Sequence, residues 1–243
     1  TTASNTDGSI TSTVQANTTA GFSIVQWTGL GGGTGRTIGH GLSSAPEWIV
    51  VKNLTGSSGY NWNVYHIGTD ASNPSDYFVS LNTTSARSNS VSTWNDTAPT
   101  STVFSVNHEA TAGASGNEMI AYCWHGVDGF SKFGKYVGNG STDGTFVYTG
   151  FTPSWIMMKN IDDGDVYADW SIFDNARSPT NEVTAQLRAN LTNVELTSNK
   201  IDMLSNGFKL RGTGSRINES GDTFIYMAFA KCPFANISPA TAR

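Results

Sequence analysis

The sequence predicts an all-β protein of two abutting, duplicated β-sandwich halves, jelly-roll-like in strand layout. Three observations carry this. Charged residues make up only 14% of the 243-residue chain and aromatics 11%, against about a quarter charged in an average globular domain. Short apolar and aromatic runs are separated by Asn, Ser, Gly and Pro turns, with no helical alternation between them, which is the layout of sandwiches and jelly rolls. The third is an internal repeat. Gly21-Phe22-Ser23 returns as Gly129-Phe130-Ser131, and Pro46-Glu47-Trp48-Ile49 with Lys52-Asn53 returns as Pro153-Ser154-Trp155-Ile156 with Lys159-Asn160. Trp62 and Trp170 each open an apolar alternation, and Ser115-Gly116 and Ser220-Gly221 each precede a closing strand. Four landmarks in one order at offsets of 105 to 108 positions imply a duplication.

Taken in order, residues 1–20 are polar apart from Ile10 and Val14 and are expected to be an extended lead-in pairing at one edge. The first repeat is assigned to 21–125. It should hold strands at Phe22–Trp27, at Glu47–Lys52, whose near-continuous apolar run implies burial on both faces, and at Trp62–His66, Tyr77–Asn82, Val103–Val106 and Glu118–Trp124. The second repeat, 126–243, follows after the short Trp124–Asp128 connection, too short to keep the halves apart. Within Asn181–Leu191, Val183, Leu187 and Leu191 recur at a helical period. The segment nevertheless aligns with Tyr77–Asn82, so a strand near Gln186–Asn190 is expected. Trp48, Ile49, Val51, Trp155, Ile156 and Met158 are the expected core.

Composition also excludes. Net charge is −5 with no basic run, so nothing tracks a nucleic-acid backbone. No apolar run is long enough to cross a bilayer as a helix, and no membrane insertion is expected. The first residue is Thr, read as the start of a processed or C-terminal portion of a longer protein. Cys123 and Cys232 stand at non-equivalent places among apolar residues and are expected to be buried free thiols rather than a disulfide.

Each candidate for chemistry has a plainer structural reading. The Gly29–Gly35 loop lacks the Lys-Ser/Thr and the helix that a phosphate loop needs. His40, His66, His108 and His125 form no ligand pair. Asp162, Asp163, Asp165 and Asp169 could hold calcium, but the calcium-loop spacing is missing and a solvated hairpin tip is favoured. Glycan hydrolysis wants a facing carboxylate pair, and Asp76, Asp96, Glu109, Asp174 and Glu182 offer no selected pair. No Gly-x-Ser-x-Gly elbow occurs. No catalytic residue, metal ligand or cofactor site is therefore assigned. The duplicated tryptophans read as core, whereas Trp94 has no counterpart and lies among Asn, Ser and Thr. It is expected to be exposed, stacking on a sugar face while Asn89, Asn95 and Asp96 address hydroxyls.

The strings GFSIVQWTG, TIGHGLSSAPEWIVVKN and GFSKFGKYVGNGSTDGTFVYTGFTPSWIMMKN, with the closing SNGFKLRGTGSRINESGDTFIYMAFAKCPF, resemble the duplicated C-terminal region of bacteriophage tail-fibre-like virion proteins, of the kind frequent in phages of marine bacteria. The resemblance covers roughly 21–243. It implies a virion structural protein on the particle surface, without enzymatic activity, contacting other virion proteins and a bacterial surface glycan or protein. A fibre location further implies a homotrimer. A capsid decoration subunit is the alternative, and a surface-polysaccharide depolymerase a weaker one.

Overall fold

The computed structural model describes residues 1–31, 35–56, 59–108 and 111–233. Among these, helix is confined to a single turn, α1 (Val91–Trp94), and a 3-10 turn at Pro74–Asp76. The all-β expectation holds, and every strand-to-strand pairing is antiparallel.

The first compact unit comprises Thr1–Leu81 and Arg87–Gly126. Its strands are β1 (Ala3–Asn5), β2 (Ser12–Asn17), β3 (Phe22–Thr28), β4 (Arg36–Gly39), β5 (Trp48–Asn53), β6 (Asn63–His66), β7 (Tyr77–Ser80), β8 (Ser88–Asn89), β9 (Val103–Val106) and β10 (Glu118–Trp124). Eight form one sheet in the order β1-β2-β3-β10-β5-β6-β7-β8, and β4 pairs with β9 in a second. Ser23, Val25 and Trp27 of β3 are buried between more exposed neighbours, the period-2 pattern of a strand with one face inward. The core lies between the sheets: Val25, Trp27, Ile49, Val51, Met119 and Ala121 meet Ile38, Phe104 and Val106. Residues 1–20 belong to this unit, since β2 pairs with β3 and both Ile10 and Val14 join its core.

The second unit takes Asn82–Ala86 and the chain from Val127 onward. Its strands are β11 (Ser131–Val137), β12 (Phe146–Tyr148), β13 (Pro153–Asn160), β14 (Ser171–Asp174), β15 (Gln186–Arg188), β16 (Ile201–Leu204), β17 (Gly207–Leu210) and β18 (Thr223–Ala230). The sheets run β11-β18-β13-β14-β15 and β12-β17-β16. Tyr136, Ile156, Met158, Phe173, Phe224 and Tyr226 from the first meet Val147, Ile201, Phe208 and Leu210 from the second.

Strand for strand, β3-β10-β5-β6-β7 and β11-β18-β13-β14-β15 have the same order. Registers agree as well: Ile49 opposes Tyr65 as Ile156 opposes Phe173, and Asn53 opposes Met119 as Asn160 opposes Phe224. Trp27 meets Phe104 edge-on at 5.7 Å across the first core, and Tyr136 meets Phe208 likewise at 6.1 Å across the second. The recurring Lys-Asn pair has a local cause. Asn53 Oδ1 accepts from the backbone N–H of Thr55 and Gly56 at 3.2 and 2.8 Å, and Asn160 Oδ1 from those of Asp162 and Asp163 at 3.0 and 3.1 Å. Each asparagine thus closes an Asx turn that ends its strand.

Three core expectations are corrected. Trp155 is only partly buried, tilted against Phe229 at 5.8 Å, whereas Trp48 is fully buried. Cys232 is exposed, and only Cys123 is a buried thiol; both are free. The acidic stretch is not all solvated, because Asp169 has no exposed surface. The 181–191 segment forms strand β15, with Val183 buried but Leu187 and Leu191 exposed, so the helical stripe never had one face.

Candidate binding site

The residues singled out by sequence do not make a surface site. Trp94 is 1% exposed and packs edge-on against Tyr65 at 6.0 Å. Its loop is folded inward by Asn107 at the end of β9, whose backbone N–H bonds Thr93 O at 3.0 Å. The Asn107 amide donates to Val91 O at 3.2 Å and to Asn95 Oδ1 at 3.1 Å. Asn95 then ends α1 in the left-handed region (φ 54) and Asp96 follows it there (φ 47). Asn89 is exposed on β8 opposite Tyr77, and Asp96 is exposed. The ring that was to stack on a sugar is core, so the group loses its platform.

No cluster of metal-ligating side chains occurs among the described residues. The acidic stretch instead serves structure. Asp169 Oδ2 accepts from Arg216 Nε at 3.0 Å with Arg188 at 3.9 Å, and its Oδ1 accepts from the Asn190 amide at 3.0 Å. Nearby Lys159 is wholly buried and donates to Thr84 O at 2.9 Å and Asn160 O at 2.6 Å. Burial lowers its ammonium to about 8, against the opposing pull of Asp163, Asp169 and Asp165. Between that value and the ordinary 10.5 the unfolded state binds more protons than the folded one, so stability rises with pH in this window. From pH 8 to 9 we expect a gain of about 1 kcal/mol in urea unfolding, absent in Lys159→Met. Above pH 9 the sign opposes, because burial raises the Cys123 thiol and only the unfolded chain then ionises it. Of the other carboxylates considered, Asp174 is held below its usual range, burial being outweighed by bonds from Arg177 and Ala176. Glu109 and residues 32–34 of the glycine-rich loop lie outside the described residues.

A surface cleft that sequence reading missed lies in the second unit. It is lined by Asp128, Gly129, Ser131, Lys132, Tyr148, Thr149 and Gly150, with a volume of about 310 Å³. One wall is the start of β11 and the other the end of β12, each the last strand of its sheet. A Val127–Ser131 bridge bounds one end of β11, and Thr145 Oγ1 donates to Val137 O at 2.8 Å near the other. Thr149 and Gly150 are fixed below by bonds from their N–H groups to Asn206 O at 3.0 and 3.2 Å. Tyr148 in the lining is 64% exposed; elsewhere on the same two strands Phe146 and Val137 are 44% and 54% exposed. Lys132 and Asp128 bring both charge signs to the rim, exposed. The arrangement brings together an aromatic ring, a cation and the last strands of two sheets. A repeat comparison placing GHG at 39–41 over YTG at 148–150 could have flagged it, because an aromatic there replaces a glycine.

A family model described as a domain of unknown function, DUF7483, matches residues 1–233. The chain belongs to that family. The match runs through residues 1–20 and into both units. No curated protein and no solved structure matches the chain.

Proposed function

We propose that this DUF7483 chain is a non-enzymatic binding module of a bacteriophage surface appendage, such as a tail fibre, built from two duplicated sandwiches and assembled as a homotrimer. The observation that carries the reading is the cleft between β11 and β12, where Tyr148 is 64% exposed and shares the lining with Lys132. An exposed aromatic ring lining a cleft is the kind of anchor that partner sites use. The phage resemblance of the GFSKFG…YTGF string supplies the setting, and the matched strand orders and registers support a duplication.

Antibody labelling of intact particles of the phage that encodes the chain should place it on an appendage. Purified chain should compete with those particles for host adsorption, and a Tyr148→Ser variant should compete several-fold less. Label in a regular capsid lattice would make the chain a decoration subunit, and particles without label would end the virion reading. Sedimentation of the purified chain should show a trimer; a stable monomer at micromolar concentration would remove that part.

A further inference from the structure

The first unit closes one side of its sandwich with a strand for which the second unit has no counterpart among the described residues. β2 runs beside β3, with Val14 opposite Val25, and the chain before it crosses to the other sheet. Ile10 bridges to Ile38 and its N–H donates to Thr37 O at 3.1 Å, while Ser12 Oγ donates to Gly39 O at 2.8 Å. Residues 10–14 therefore seal the seam between the edges of β3 and β4.

The equivalent seam in the second unit lies between β11 and β12. Ile38 opposes Phe104 as Val147 opposes Phe208, which sets Thr37 and Gly39 over Phe146 and Tyr148. Gly41 and Gly150 both have positive φ, 68° and 88°, which fixes the alignment independently. In the first unit a Cβ at Gly39 would stand 1.7 Å from Asn5 Oδ1, so a larger residue there would displace the Asn5 side chain. At the matching place the second unit carries the most exposed ring of its seam, Tyr148. Among the described residues β11 remains the end of its sheet.

We infer that this seam accepts an extended segment of a partner polypeptide, added to the β11 edge in the place that β2 holds beside β3. An edge strand supplies main-chain donors and acceptors for such an addition, and side chains along it select the occupant. Tyr148 stands at the position where the first unit has Gly39 against Asn5, so the segment residue facing it must be Gly, Ala or Ser. Lys132 and Lys135, both exposed on β11, favour Asp or Glu elsewhere along the segment and discourage indiscriminate pairing. A second copy's β2 is a poor occupant, because it is already held by its own β3 and Ile38. This inference rests on the cleft being the binding surface proposed above.

The test uses the full chain and a short synthetic peptide alternating Ser or Ala with Glu and Thr. Saturable binding by fluorescence anisotropy is expected. N-methylation of alternate peptide amides should weaken it at least about tenfold, because main-chain hydrogen bonds would be lost while the protein stays unaltered. Lys132→Glu with Lys135→Glu should weaken it comparably without moving the unfolding midpoint. The inference is overturned by absence of saturable binding, or by binding indifferent to N-methylation. It is equally overturned if oligosaccharides rather than the peptide shift the Tyr148 resonances, or if the chain self-associates in a way that Tyr148→Ser abolishes. Any of these outcomes with particle labelling intact removes the strand partner and leaves the virion reading standing.

Discussion

Replacing Trp94 by Ala is expected to destabilise the protein by about 3–5 kcal/mol, as for other large-to-small changes at buried aromatic sites. Trp94 is among the largest fully buried side chains and belongs to the same core cluster as Tyr65, Phe104 and Val106. The ring also holds α1 in place, so its loss would leave Asn107 anchoring a turn with nothing beneath it. Its indole Nε1 is buried without a hydrogen-bond partner. Trp94→Phe should therefore cost much less, since it removes an unpaired donor and keeps most of the volume. Urea unfolding of both variants checks this. An unchanged midpoint for Trp94→Ala would return the residue to the surface.

The second large effect is expected at Asp169. Asp169→Ala should cost about 3–5 kcal/mol, the usual result of removing one partner from a buried ion pair. Asp169 is wholly buried, whereas the Arg216 and Arg188 side chains retain 18% and 9% exposure, so neither guanidinium can reach full hydration when left alone. The carboxylate also fixes Asn190, whose Oδ1 accepts the Trp170 N–H at 2.9 Å at the start of β14. The double variant Asp169→Ala, Arg216→Ala should lose less than the two single losses together, because each removes the same pair. Additive losses would show that Asp169 acts through Asn190 alone.

These two residues mark where the sequence could and could not be read. Strand positions were legible because a face buried between sheets imposes period 2, and because the repeat offered a second reading of each strand. That comparison overruled the helical spacing of Val183, Leu187 and Leu191. Trp94 misled because its loop is polar and unmatched, while its burial depends on Asn107 and Tyr65, far along the chain. Asp169 misled for a related reason: a cluster of four acids looks solvated until Arg188 and Arg216 arrive from distant segments. The β11–β12 cleft was hidden because its meaning lies in what the first unit has there. Only the pairing of β2 with β3 shows that the first unit fills the matching seam with its own chain.

The placement of β10 and β18 has a consequence for how the chain is made. Each is the last strand of its unit in sequence, yet each lies inside its sheet, between β3 and β5 in one case and β11 and β13 in the other. Phe22 thus waits for Trp124, and Ser131 for Phe229. Such long sequence separations slow folding, since loop-closure entropy is lost before any pairing rewards it. During vectorial synthesis β3 and β5 emerge from the ribosome with their shared neighbour still unmade, and the sheet completes in one late event when residues 118–124 appear. The second unit repeats the delay, and it also draws on Asn82–Ala86, a segment translated before the first unit can close. Folding therefore proceeds as two successive closures rather than as steady growth from the N-terminus, and the last strand of each unit sets its moment.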